Sequence, residues 1–344
     1  MSATFDPNAA ARFPGIYGLP TAPEQARVAL LPVPWEATAS ARGGTAAGPA
    51  AIFAGSRQVD LFDHDTGRPY EAGIVMLPIS EEVRSWSDEA RRHARPVIEA
   101  GGADTDPALA AAVTIVDGLS ARLNAWVHAE AVRQLDAGRL LGVVGGDHSA
   151  PLGAIAAVAE RHPGLGILHL DAHADLRQAF EGFRFSHASI FHNVLSDLPG
   201  VARLVQVGLR DYCEAEAEWI RGNADRVRAY FDPDLRRQLY EGETFAHLAG
   251  RIVADLPREV YVSFDIDALD PSLCPNTGTP VPGGLGFAEV VALLRTLVES
   301  GRRIVGFDLC EVAPDPEGRS DWDGQVGARV LYKLIGFALL SQRG

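Results

Sequence analysis

Apolar residues along the chain gather into short runs, separated by longer stretches in which they recur every three or four positions. The runs cover residues 27–33, 74–78, 140–144, 165–170, 203–207, 227–231, 260–264 and 304–308. Short apolar runs bounded by Gly or Pro predict strands buried on both faces, as in a parallel sheet. The intervening stretches predict helices from Pro49 and over 106–137, 150–161, 215–220, 245–254, 287–300 and 325–340. Asp106-Pro107 opens the longest as N-cap and first turn, and Gly138 ends it. Strands alternating with helices give an α/β architecture with a parallel sheet. Residues 1–24, rich in Pro, Gly and Ala, are expected to form an irregular arm. Residues 80–105 are charged and read as an insertion or loose helix with no assigned task.

Three of the strands run into ionisable residues. Leu140–Val144 leads to Gly145-Gly146-Asp147-His148-Ser149. Leu165–Leu170 leads to Asp171-Ala172-His173-Ala174-Asp175. Val260–Phe264 leads to Asp265-Ile266-Asp267, then Ala268-Leu269-Asp270-Pro271. Strand side chains alternate, so groups two apart project to the same side. Ligands of open α/β sheets bind outside the carboxyl ends of strands. The three ends would pool His148, Asp171, His173, Asp175, Asp265 and Asp267. Such a cluster is costly unless cations satisfy it. Two imidazoles and four carboxylates exceed an ordinary zinc site. They suit two harder divalent ions, Mn(II) first and Ni(II) as the alternative. Four aspartates balance two divalent ions, so a bridging hydroxide would leave the site slightly negative and receptive to a cationic substrate.

Gly-Gly-Asp-His-Ser, Asp-Ala-His-Ala-Asp and Ser-Phe-Asp-Ile-Asp-Ala-Leu-Asp-Pro, in this order, resemble the ureohydrolase family of arginase, agmatinase and guanidino-acid hydrolases. The resemblance spans roughly residues 28–340 and points to the agmatinase-like branch. It implies a three-layer α/β/α fold around an eight-stranded parallel sheet, and hydrolysis of a guanidino compound to urea and an amine. A metal pair would acidify bound water for this. By resemblance, Asp171 and Asp265 bridge the ions, His148 and Asp175 complete one shell, and His173 and Asp267 the other. Asp175 also orients the attacking oxygen. His187, in Phe185-Ser186-His187-Ala188-Ser189, matches the family's proton-shuttling His. Glu311 matches the Glu that accepts hydrogen bonds from the guanidinium. The loop with Gly43, Gly44 and Thr45 resembles one beside the family's substrate mouth. Asp147, Ser149, Asp270 and Arg210 fall inside motifs as supporting residues. His64, His93, His128, His162, His169, His192 and His247 lack partners at metal spacing and read as ordinary histidines.

Composition narrows the remainder. The 344 residues are 47% hydrophobic. They contain no linker-like break, so 1–344 is expected to be one domain. No apolar run of 18 residues suggests a membrane span, and the N-terminus lacks signal-peptide character. Cys213, Cys274 and Cys310 form no Cys-x-x-Cys pair, which fits a reduced, cytoplasmic protein. A net charge of −14 argues against nucleic acid or an anionic membrane as partner. The family suggests a homo-oligomer, a trimer or hexamer.

The substrate is left open. Val281 stands where agmatinases commonly carry an acid. Arg177 or Arg184 could bind the carboxylate of a guanidino acid such as guanidinobutyrate. Trp322 could line a pocket by a cation–π contact or simply pack. Agmatine, arginine, guanidine and formiminoglutamate stay in view. So do an inactive subunit on the same fold and a single-zinc amide hydrolase of the deacetylase group.

Overall fold

In chain order the strands are β1 (Val28–Val33), β2 (Ile74–Met76), β3 (Leu140–Gly145), β4 (Leu165–Leu170), β5 (Val201–Leu209), β6 (Val227–Phe231), β7 (Glu259–Asp265) and β8 (Arg303–Cys310). The computed structural model describes residues 5–103 and 105–343. The strands form one sheet in the order β2-β1-β3-β8-β7-β4-β5-β6, every pairing parallel. β3, β4 and β7 are almost wholly buried, which is why they read as apolar runs rather than as alternation.

Helices cover both faces. One layer comprises α1 (Gly48–Ser56), α8 (Phe245–Ala254), α9 (Phe287–Glu299) and α10 (Trp322–Ser341). The other comprises α2 (Glu81–Ala100), α3 (Pro107–Asp136), α4 (Leu152–Arg161), α5 (Ile190–Asp197) and α6 (Glu214–Gly222). α7 (Asp232–Tyr240) follows the edge strand β6. Residues 5–27 hold only two short 3₁₀ turns, and Tyr17 ties this arm down by donating to Ala328 O at 3.0 Å.

Two expectations need correcting. Of the two readings of 80–105, insertion or loose helix, the helix holds, but residues 81–100 form a regular one. Ser80 caps its N-terminus by accepting from Val83 N, and Gly101 closes it in the left-handed region. Val83, Trp86, Ser87, Ala90, Ala94 and Val97 form its buried stripe at helical spacing. Its many charges and Pro96 mask that stripe in the sequence. The second is the absence of any span-like stretch: α3 is long and apolar enough to cross a bilayer by length and composition alone. It packs against α2 and α4, burying Val116, Leu123, Val127 and Ala131.

Candidate active site

The carboxyl ends of the adjacent strands β3, β8, β7 and β4 meet at one place on the sheet rim. Gly146 makes the first turn possible. A Cβ there would lie 2.0 Å from Trp35 O, so only glycine lets the chain pass and present His148. Asp171 follows β4 directly, and Asp265 is the last residue of β7. Among the described residues, two groups of three or more potential ligands hold sequence-predicted aspartates: His148, His169, Asp171 and Asp175, and Asp171, His173 and Asp267.

His148 Nδ1 lies 3.0 Å from Asp171 Oδ2, 3.3 Å from Asp175 Oδ2 and 3.3 Å from Asp265 Oδ2. Its other nitrogen, Nε2, lies 3.0 Å from Ser263 Oγ. The Ser263 hydroxyl donates to Asp308, whose oxygens are 2.8 and 3.0 Å away. The serine oxygen is therefore free to accept from Nε2–H. That leaves Nδ1 facing three carboxylates, where it donates Nδ1–H to them or, once that proton is lost, offers its lone pair to a cation. On the other side, His173 Nδ1 lies 3.1 Å from Asp267 Oδ2 and 3.4 Å from Asp171 Oδ1. All six sequence-predicted ligands thus converge.

The electrostatics show what the cluster lacks. Burial pushes Asp265 well above the usual carboxylate range, with Asp267 and Asp171 adding repulsion. Burial and Asp171 push Asp175 up to about 7. Burial opposes charge on His148, but hydrogen bonds to Asp171, Asp175 and Asp265 outweigh it and raise its pKa well above 6.5. Buried acids crowded this closely need cations between them. Imidazole nitrogens and carboxylate oxygens are the donors that a pair of divalent ions takes.

A polar row lies beneath the ligands. Asp308, Ser263, His169 and Gln206 are register partners across β8, β7, β4 and β5. His169 Nε2 is 2.8 Å from Asp171 Oδ2. Gln206 Nε2 donates to Ala174 O and to His169 Nδ1, at 2.7 and 3.0 Å. His169 Nδ1 is then the acceptor, and Nε2–H donates to Asp171. This corrects the reading of His169 as an ordinary histidine: it is wholly buried and orients a ligand-type carboxylate. The signal was present in the sequence. Each of these four polar residues interrupts an otherwise apolar strand.

Two further site residues sit on unusual backbone. Asp175 (φ 53°) and Glu311 (φ 62°) are both in the left-handed region, which costs a non-glycine residue roughly 1–3 kcal/mol. Glu311 is tied in by Glu311 N to Gly146 O (2.8 Å), Thr277 Oγ1 to Glu311 O (2.8 Å) and His148 N to Glu311 Oε1 (2.9 Å). Burial, then repulsion from Asp147, raises its pKa well above the ordinary range. Asp147 accepts from Ala37 N and from Ser149 N and Oγ, a supporting role. Arg210 is structural as well, donating to Asp267 O, Leu269 O and Val281 O.

A cleft of about 140 Å³ opens above the cluster. Ser40, Arg177, Phe180, His187, Asp211, Tyr212, Thr279 and Glu311 line it with His148, His173, Asp175 and Asp265. Arg177 stacks on Phe180 and lies 3.7 Å from Glu216. Arg184 pairs with Asp197 on the surface. Trp322 donates to Ser272 O at the start of α10 and is not among the cleft residues.

Parallel sheet, buried His–Asp cluster and acidic cleft define a hydrolase of guanidino compounds that works with a pair of divalent metal ions. The arginase family model matches residues 26–336, and the chain belongs to that family, on its agmatinase-like branch. It is 33% identical over 324 residues to N(1)-aminopropylagmatine ureohydrolase of Thermus thermophilus, covering 93% of this chain and 94% of the relative. It is 34% identical over 289 residues to proclavaminate amidinohydrolase of Streptomyces clavuligerus, covering 78% and 86%. The solved structure of the Streptomyces clavuligerus proclavaminate amidino hydrolase superimposes with a TM-score of 0.72, covering 96% of this chain and 99% of the other at 24% identity.

Proposed function

We propose that the chain is one cytoplasmic catalytic domain hydrolysing a cationic guanidino amine, agmatine or an N-substituted agmatine, to urea and the corresponding amine. The observation that carries the reading is the convergence of His148, Asp171, His173, Asp175, Asp265 and Asp267 beside the buried carboxylate of Glu311. His148, Asp171, His173, Asp175, Asp265 and Asp267 would hold two Mn(II) ions, with Ni(II) the alternative. When bound, such a pair supplies Lewis-acid charge and acidifies water at the site.

The chain's own residues do the rest. Glu311, destabilised as an anion by burial, recovers that cost by taking a guanidinium in charge-assisted hydrogen bonds. Asp175 orients the attacking water. His187 lines the cleft and relays to the leaving amine the proton that the attacking water gives up. Exposed Asp211 adds negative charge at the mouth, while Arg177 is offset by Glu216. The name of the Thermus relative, N(1)-aminopropylagmatine ureohydrolase, is consistent with this reading, which also takes the working form to be a homo-oligomer.

Arg177 favours a second reading. Its guanidinium lies in the cleft wall and could hold the carboxylate of a guanidino acid. Urea release should be measured with Mn(II)- and Ni(II)-loaded protein on agmatine, aminopropylagmatine, guanidinobutyrate and arginine. Turnover of the two amines alone supports the first reading. Turnover of an acid that disappears in Arg177→Ala supports the second. No urea from any of them overturns both.

A further inference from the structure

We propose that Thr38 is the positioning residue for His187, and that Arg91 of α2 holds Thr38 in place. This rests on the reading of His187 as the proton donor to the leaving amine.

Thr38 is buried, and its Oγ1 makes two contacts to the same histidine. His187 N donates to it at 3.2 Å, and His187 Nδ1 lies 3.1 Å away. A hydroxyl has one proton and two lone pairs. One lone pair is taken by the His187 backbone. The second lone pair accepts Nδ1–H, which the imidazolium carries and which the ring keeps after Nε2 has given up its proton. The contact therefore survives both protonation states, and Nε2 is left as the nitrogen that gives up the proton. A carboxylate at this place would stabilise the imidazolium and hold its proton back.

The backbone around Thr38 is pinned from both sides. Glu36 N donates to Ser87 Oγ of α2 at 2.9 Å, and Ala37 N donates to Asp147 Oδ2 at 3.1 Å. Arg91, also on α2, donates through Nη1 to Ala39 O at 2.5 Å and Ala37 O at 3.4 Å. Phe180 meets the His187 ring edge-on at 6.0 Å. The charged groups that bear on the ring are His173, Asp171, His148 and Arg91. None of them replaces the hydroxyl as a partner for Nδ1. The charged segment without an assigned task thereby gains one: α2 buttresses the loop that aims the histidine.

The test uses metal-loaded Thr38→Val, Thr38→Ser, Arg91→Ala and His187→Ala, with kcat, KM and bound metal measured for each. Thr38→Val should lower kcat by about tenfold to a hundredfold, with KM and metal content near the parent's, and Thr38→Ser should restore most of it. Arg91→Ala should lower kcat in the parent but not in Thr38→Val. Nitrogen-15 spectra should show the His187 Nδ1 resonance shifting in Thr38→Val and returning in Thr38→Ser. An inactive His187→Ala beside a Thr38→Val with parent kcat overturns the inference alone. So does a Thr38→Ser as poor as Thr38→Val, or a loss of metal from Thr38→Val. A fully active His187→Ala removes the proton-donor reading and takes the inference with it.

Discussion

Ser263 on β7 and His169 on β4 are direct register partners, and each steadies a different metal-binding candidate. Ser263 Oγ holds His148 at 3.0 Å, and His169 Nε2 holds Asp171 at 2.8 Å. One row of the sheet thus aims the row above it.

Removing either support should loosen metal without removing a ligand. Ser263→Ala leaves His148 Nε2–H and Asp308 buried without their partner, at about 1–3 kcal/mol for each unsatisfied group. His169→Phe frees Asp171 to rotate. Each change should weaken metal affinity by roughly 10–100-fold, as for other outer partners of metal ligands. Titration against a competing chelator reads this directly, and parent affinity in both variants would remove the supporting role.

Asp265 and Glu311 separate metal binding from substrate binding. Asp265→Ala should abolish metal occupancy and activity together, because it removes a carboxylate from the centre of the cluster. Glu311→Ala should keep both ions and raise KM, because it removes the guanidinium acceptor. Metal analysis beside initial rates tells the two apart. Full activity in either variant contradicts the assignment.

His187 should stay neutral well into the acid range. Burial, reinforced by His173, lowers its pKa from 6.5 to about 4. The unfolded chain therefore takes up this proton first as pH falls. The contribution of the neutral ring to stability is present above 6.5 and is lost progressively down to about 4. His187→Gln should flatten the pH dependence of unfolding in that window. An unchanged slope, or a histidine resonance titrating near 6.5, would contradict the burial argument.

Chelation should lower the melting temperature. Without cations, burial and then repulsion keep Asp175 and Asp265 from ionising freely. An ion held at about a thousand times its Kd adds about 4 kcal/mol to the folded state. Differential scanning with and without chelator should therefore show a drop of several degrees. Asp265→Ala should show none, and an equal drop in that variant would place the bound metal elsewhere.

Much of this site was legible because its chemistry interrupts a simple pattern. His148, Asp171, His173, Asp175, Asp265 and Asp267 stand where apolar strands stop, and a parallel sheet brings those stops together. His169, Ser263, Gln206 and Asp308 were harder to see. They lie inside strands, and their partners come from neighbouring strands whose order is set by long crossovers. Thr38 was hidden for a similar reason: its partner is 149 residues away. The stripe of α2 was obscured by charges that face outward. The left-handed backbone at Asp175 and Glu311 has no sequence mark, because neither residue is glycine.

β8 follows every other strand in the sequence, yet it sits between β3 and β7. The sheet therefore cannot be completed by adding strands outward from a finished core. Its two flanks, one carrying His148 and the other the four aspartates and His173, stay unjoined until the final strand slots between them. A chain halted before that step has no paired site with which to trap metal. Metal uptake is thus a report of completed folding, and a chain that holds both ions has already passed its own inspection.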